Sequence, residues 1–226
     1  MNIAILTLFP EMFAAITEHG ITARAHEQGI ITLRCFNPRN YSEDKHRRVD
    51  DRPYGGGPGM VMMAPPLERA LSAARAWLPN APLYYLGPQG KPFNQQMARE
   101  FKKKTDFIFL AGRYEGIDQR FLDMYVDGYI SLGDFVLTGG ELAAMAIIDA
   151  ITRLLPGSLG NSESAEFESF TDNLLDHPHY TRPAEYHGQI VPAVLQQGNH
   201  DAIKRFRKEA QIKMTKQFRP DLLKRH

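Results

Sequence analysis

Four glycines in five positions set one segment of this chain apart. In Asp50-Asp51-Arg52-Pro53-Tyr54-Gly55-Gly56-Gly57-Pro58-Gly59-Met60 the backbone is bare and free to adopt positive φ. Such a loop lets a flat ring or a phosphate come close to main-chain N–H groups. A flexible surface turn fits the same composition. No Gly-Lys-Ser/Thr follows, so this is not a Walker loop. No predicted strand leads into the glycines, so the dinucleotide fingerprint lacks its context. Three further glycine-bearing segments each follow a predicted strand: Leu86-Gly87-Pro88-Gln89-Gly90, Ala111-Gly112-Arg113-Tyr114-Glu115-Gly116, and Leu132-Gly133-Asp134-Phe135-Val136-Leu137-Thr138-Gly139-Gly140. In an open α/β sheet, ligands bind just beyond the carboxyl ends of strands. Three such loops at three strand ends describe a nucleotide-like pocket better than three unrelated turns.

Other chemistry-bearing residues point less sharply. Asp176-His177-Pro178-His179 offers ligand atoms for a metal, but no further cluster with zinc spacing exists, and a structural turn is the better reading. The nucleophile elbow Gly-x-Ser-x-Gly is absent. Cys35 lies within a strand pattern, which suggests a buried, inert thiol.

The elements that must carry these loops alternate. Asn2–Phe9, Ile30–Phe36, Leu83–Leu86, Phe107–Ala111 and Tyr129–Leu132 read as strands. Helical patterns occupy Glu11–Ile16, Thr22–Glu27, Leu67–Leu78 and Asn94–Lys103. A longer helix runs from Glu141 to about Leu155, with Leu142, Met145, Ile148, Thr152 and Leu155 on one stripe, and Pro156-Gly157 stops it. The alternation predicts an α/β fold built on a mostly parallel sheet, over residues 1–156. Residues 157–172, rich in Ser, Gly and Glu at their start, read as a flexible interdomain linker. Residues 173–226 read as a small helical domain. Its final helix is capped by Asn199, carries Asp201 in its first turn, and has an apolar stripe of Ile203, Phe206, Ala210 and Met214.

At 226 residues the chain can bury a core without disulfides or metal. Its longest apolar run, Leu142 to Ile148, is far below the roughly 18 residues of a membrane span. The apolar N-terminus has no Lys or Arg before it, and Pro10-Glu11 end it, which argues against a secretory signal. A single cysteine fits a cytoplasmic protein. The net charge of +1 hides an asymmetry. Residues 201–226 hold nine Lys or Arg against Asp201, Glu209 and Asp221, a net of +6, which leaves −5 on the rest. A basic end on an acidic body suggests a polyanion partner, although a solvated charged helix fits equally well. On the residues alone, a nucleotide-binding enzyme such as a dehydrogenase or kinase and a non-catalytic RNA-binding module both stay open.

Taken together the motifs form a recognisable set. Pro53-Tyr54-Gly55-Gly56-Gly57-Pro58-Gly59-Met60, Gly112-Arg113-Tyr114-Glu115-Gly116-Ile117-Asp118, Gly133-Asp134-Phe135-Val136-Leu137-Thr138-Gly139-Gly140-Glu141-Leu142 and Leu174-Leu175-Asp176-His177-Pro178-His179-Tyr180-Thr181-Arg182-Pro183 strongly resemble the bacterial tRNA (guanine-N1)-methyltransferases of the SPOUT superfamily. Leu8-Phe9-Pro10-Glu11-Met12-Phe13, Val191-Pro192 and Gly198-Asn199-His200 match too, so the resemblance runs through nearly the whole chain. It implies methylation of N1 of the guanosine at tRNA position 37, beside the anticodon, with S-adenosylmethionine as donor. It also implies a C-terminal trefoil knot in the α/β domain, an obligate homodimer with shared active sites, and a small C-terminal domain that grips tRNA. The transfer needs no metal in principle, and a contribution from Mg2+ stays open.

Carried over residue by residue, the resemblance puts Leu86, Pro88, Gly112, Tyr114, Glu115, Ser131, Leu132, Gly133, Asp134, Phe135, Val136, Leu137, Gly139 and Gly140 around the methyl donor. The segment holding His46, Asp50, Gly55, Gly56, Gly57 and Gly59 would receive the target guanine. Lys204, Arg205, Arg207 and Lys208 would bind tRNA. Arg153 matches the catalytic arginine. The catalytic carboxylate falls in Glu168-Ser169-Phe170, where the family has aspartate, so Glu168 is the implied base and Asp176 the alternative. Ala143 also stands where the family usually has proline.

Overall fold

The computed structural model describes residues 1–160 and 168–224. The contacts divide the chain after Gly160 into two units, 1–160 and 161–226. Apolar runs become strands in the first unit, and the segments between them become helices. β1 (Asn2–Leu6) leads through α1 (Ala14–Thr17) and α2 (Gly20–Glu27) to β2 (Thr32–Phe36). The short strands β3 (Asp50–Asp51) and β4 (Val61–Met62) pair antiparallel around the glycine-rich segment. There follow α3 (Ala64–Trp77), β5 (Leu83–Pro92), α4 (Gln95–Phe101), β6 (Asp106–Ala111), α5 (Gln119–Tyr125), β7 (Gly128–Ser131) and α6 (Glu141–Thr152). Five strands make one sheet in the order β2-β1-β6-β5-β7, and every pairing in it is parallel. The predicted α/β class with a mostly parallel sheet is therefore observed.

Strand alternation sorts the core into two layers. Ala4, Leu6, Ile108 and Leu110 pack with Leu67, Ala70, Leu71 and Ala74, which form one face of α3 at helical spacing. The opposite side chains, Phe107 and Phe109, pack with Phe101 of α4 in tilted and edge-on ring contacts with centroids 5.1 and 6.1 Å apart. The stripe expected on α6 holds only in part, at Ile148 and Thr152. Ala144, Ile147, Ile148 and Ile151 are buried, whereas Leu142 is half exposed. Apolar residues lie on more than one face of that helix, and the buried set combines Ala143 and Ala144 with Ile147, Ile148 and Ile151.

The predicted strand at Leu83–Leu86 runs on to Pro92. It pairs with β7 twice: Ile130 faces Leu86 before the excursion and Lys91 after it. Gly90 permits this, because a Cβ there would overlap the Ile130 backbone. Past α6, Ser158 is fully buried and its carbonyl accepts a 3.1 Å hydrogen bond from Arg24.

In the second unit, a turn over Glu168–Leu174 precedes the extended Asp176–Pro183 stretch. β8 (Glu185–Tyr186) and β9 (Gln189–Ile190) form a hairpin that the expected small helical domain does not include. Its turn residues His187 and Gly188 both have positive φ, as a type I′ turn requires. α7 (His200–Phe218) starts where the Asn199 side chain accepts from the Ala202 N–H at 3.1 Å. Its buried Thr215 accepts a 2.8 Å hydrogen bond from the Leu175 N–H, tying helix to extended stretch. Among the described residues, no helix is long and apolar enough to cross a membrane.

Candidate functional site

The carboxyl ends of β6 and β7 and the excursion within β5 meet at one cavity. Its walls include Leu86 and Pro88 from the first loop and Gly112, Tyr114 and Glu115 from the second. Ser131, Leu132, Gly133, Phe135, Val136, Leu137, Gly139 and Gly140 come from the third. Of the residues singled out for a donor pocket, only Asp134 is not in the wall. Glycine is needed where the third loop crosses the second strand. The Gly140 N–H donates to the Gly112 carbonyl at 2.9 Å, and a Cβ on Gly140 would lie 2.7 Å from Ala111 Cα. Ser131 holds the start of the third loop, donating through Oγ to the Gly133 carbonyl at 3.2 Å and accepting from the Gly133 N–H at 3.1 Å.

A buried ion pair locks the second and third loops together. Arg113 Nε donates to Glu141 Oε2 at 2.9 Å, and its Nη1 donates to the Thr138 carbonyl at 3.2 Å. The guanidinium lies over the Phe9 ring at 4.5 Å. The Glu141 side chain is wholly buried, and its Oε1 accepts from Thr7 Oγ1 at 2.9 Å. The end of β1 thus holds the start of α6. Sequence reasoning missed these roles for Thr7, Arg113 and Glu141, as well as the walls supplied by Tyr85, Thr138 and Ala143. A glutamate in the first turn of a helix ordinarily signals the dipole, not burial.

The glycine-rich segment lies beside this cavity. Gly55, Gly56, Gly57 and Gly59 all have positive φ. The Glu115 N–H donates to the Met60 carbonyl and the Met62 N–H to the Gly116 carbonyl, each at 2.9 Å, so the segment's exit is stitched to the second loop. Tyr114 bridges the two places. It holds φ 63°, uncommon for a bulky residue, and its hydroxyl accepts from Arg39 Nη2 at 3.1 Å. Burial and the nearby Asp50 carboxylate push the Tyr114 hydroxyl above its usual range, with Arg39 opposing them. His46 sits on an exposed turn, its N–H donating to Asp44 Oδ2 at 2.7 Å. The side-chain bonds from Arg48 hold the Asp44 carboxyl well below the usual range.

Arg153 caps the C-terminus of α6, half-buried, with its N–H donating to the Asp149 carbonyl at 3.1 Å. Glu168 belongs to the other unit, half-buried in the turn before Phe170, where its carbonyl accepts from the Thr171 N–H. Asp176 follows in the same unit. Burial raises its carboxyl, but the His179 hydrogen bond, the His177 N–H and the two neighbouring imidazoles outweigh this and hold it below the usual range. Lys204, Arg205, Arg207 and Lys208 are exposed on α7, and Lys208 pairs with Asp172 at 3.6 Å. The linker segment 161–167 lies outside the described residues.

Comparison with known proteins adds an independent line. The family model for tRNA (Guanine-1)-methyltransferase TrmD matches residues 1–225. A protein of Stutzerimonas stutzeri named tRNA (guanine-N(1)-)-methyltransferase is 55% identical over 224 residues, covering 99% of this chain and 90% of the relative. A protein of the same name from Pseudomonas savastanoi pv. phaseolicola is equally similar over the same span. One from a Marinomonas species is 49% identical over 223 residues, covering 99% of this chain and 89% of that one.

Proposed function

The chain belongs to the tRNA (guanine-1)-methyltransferase family, and from that premise we propose that it transfers a methyl group from S-adenosylmethionine to N1 of the guanosine at tRNA position 37. The observation that carries this reading is the convergence of three glycine-bearing strand-end loops on one cavity. The wall suits the donor: Leu86, Pro88, Phe135 and Leu137 can cover an adenine, and main-chain groups of the glycines can read its edge. The Glu115 carboxylate on the same wall complements a cationic sulfonium or ammonium.

The donor supplies an electrophilic methyl carbon. The protein's own task is to make N1 nucleophilic and to align it. N1 of guanine carries a proton, and Glu168 takes it as general base. Electron density released from N1 builds on O6, where the Arg153 guanidinium stabilises it. The positive-φ backbone of Gly55–Gly59, with His46 and Asp50, receives the base once it has left the anticodon-loop stack. Lys204, Arg205, Arg207 and Lys208 hold the phosphates of the same tRNA.

The wider reading includes a trefoil knot, and the double pairing of Ile130 with Leu86 and Lys91, on either side of an excursion of β5, supports it. It includes a homodimer with composite sites. Phe135 and Val136 beside the cavity and Leu142 on α6 are apolar and exposed, as an unfilled subunit interface requires. It assigns 1–156 to catalysis, 157–172 to an interdomain linker and 173–226 to tRNA binding, and the enzyme to the cytoplasm.

The test is single-turnover methylation of purified tRNA with labelled donor, followed by mapping of the modified nucleotide. Glu168→Gln keeps size and removes the base, so the rate should fall by about 10² to 10⁴ with donor affinity unchanged. Near-normal rates in Glu168→Gln together with loss in Asp176→Asn would move the base to Asp176. Label at a nucleotide other than guanosine 37 would overturn the assignment.

A further inference from the structure

The second unit holds a cluster of metal-ligand type that includes Asp176, the alternative base, beside two histidines with no assigned part in methyl transfer. One ligand-type atom each from Asp176, His177 and His179 lies within 4.8 Å of the other two. His179 Nε2 is 2.9 Å from Asp176 Oδ2, and His177 Nε2 is 3.8 Å from Asp176 Oδ1. The other nitrogen of His177, Nδ1, lies 3.2 Å from the Pro178 carbonyl. That carbonyl can only accept, so Nδ1 carries the hydrogen, and in the neutral ring Nε2 is left with a lone pair. That leaves Nε2 of His177, 3.8 Å from Asp176 Oδ1, open to a proton or to a metal cation held between ring and carboxylate. An Nδ1–H bonded to a carbonyl is also the arrangement that orients metal-ligating imidazoles.

We propose that Asp176, His177 and His179 form a site for one borderline divalent cation such as Zn2+ or Co2+, bound through a carboxylate oxygen and the two Nε2 atoms. The donor set selects the metal class: two imidazoles and one carboxylate suit zinc and cobalt, whereas Mg2+ prefers oxygen ligands throughout. Three protein ligands leave a fourth position for water. Ligands about 2.1 Å from a tetrahedral ion lie roughly 3.4 Å apart, so the widest gap must close by about 1.4 Å. The His179 side chain, 71% exposed, can rotate to close it, giving up its 2.9 Å bond to Asp176 as the Nε2 hydrogen moves to the solvent-facing Nδ1, while His177 is 10% exposed and held. Pro178 between the two histidines restricts the backbone and presets their spacing. The Asp176 N–H bond to Ser169 Oγ at 3.0 Å and the Leu175 bond to Thr215 fix the preceding backbone.

The experiment uses the untagged full chain, stripped with chelator and titrated with Co2+ and Zn2+. The expected result is one equivalent per chain, with visible Co2+ bands of a nitrogen–oxygen site and Zn2+ displacing Co2+. His179→Ala and Asp176→Asn should each weaken binding at least about tenfold, on the scale of metal-site substitutions, while His26→Ala leaves it unchanged. His179→Ala changes an exposed ring and keeps the fold, so the test does not depend on altering the buried His177. No Co2+ band up to millimolar metal, affinity unchanged in His179→Ala, or equal displacement by Mg2+ would overturn the proposal. None of these readouts depends on methyl transfer.

Discussion

Removing the Arg113 guanidinium should cost more stability than any other single truncation at the cavity. Glu141 is wholly buried and has two described partners, Arg113 at 2.9 Å and the Thr7 hydroxyl at 2.9 Å. Arg113→Met preserves much of the stem over Phe9 but leaves a buried carboxylate with a single hydroxyl. Breaking a buried pair from one side costs about 3–5 kcal/mol. In a domain of this size each kcal/mol moves the melting midpoint by about 2–4 °C, so the loss should be about 6–20 °C. Glu141→Leu in the same background removes the stranded charge, and replacing both members by apolar residues is often close to neutral. The double variant should therefore melt well above Arg113→Met. Thermal unfolding followed by circular dichroism, with calorimetry as a check, reads both numbers. If Arg113→Met melts within about 2 °C of the parent, or if the double variant is the less stable, the ion pair does not hold the loops as argued.

Three more outcomes follow from the geometry. Gly90→Ala places a methyl on the Ile130 backbone and should destabilise by about 1–3 kcal/mol; an unchanged midpoint would mean the β5 excursion does not grip β7. Changing Lys204, Arg205, Arg207 and Lys208 together to Ala should flatten the log–log salt dependence of tRNA affinity by about 3, with Lys208 contributing least because it already pairs with Asp172. Burial, with Glu11 adding to it, pushes the Cys35 thiol up from 9.0 to about 12. Its thiolate population below pH 9 is then about a thousandfold lower than that of an unperturbed thiol. Alkylation by iodoacetamide at pH 8 should be slower in proportion, and a rate like that of glutathione would refute the burial argument. Because the folded pKa is raised, the thiol's contribution to stability is complete below pH 9 and is lost as pH climbs through 12, a loss Cys35→Ser should not show.

The strands were legible because continuous apolar runs such as Phe107–Ala111 have few other fates than the centre of a covered parallel sheet. The cavity was legible through its loops, since glycine after a strand marks a place where backbone must turn or approach closely. What stayed hidden depended on pairs distant in the chain. Arg113 and Glu141 are 28 residues apart and Thr7 is 134 from Glu141, so no local period links them. On α6, Leu142–Met145 and Ala144–Ile147 have equal claim to a helical stripe, and only the neighbouring chain decides which is buried. The β8–β9 hairpin was masked by its brevity, two residues a side, and by His187 standing where asparagine is the usual turn signal.

The two-sided hold of β5 on Ile130 has a consequence for how the molecule is made. The inner strand β1 gains its second neighbour only when Asp106–Ala111 reach it, across a separation of 104 residues at Asn2. The cavity completes later still, since its third wall comes from the segment after β7. Contacts this distant in sequence slow folding, and they put the binding cavity among the last features to form during synthesis. A nascent chain that ends before Gly140 has its β1–β2 and β1–β6 pairs but lacks part of one wall. Ligand capture by this cavity thus reports that the sheet through β7 and the start of α6 are in place, and any ligand held there acts as a clasp on that late folding step.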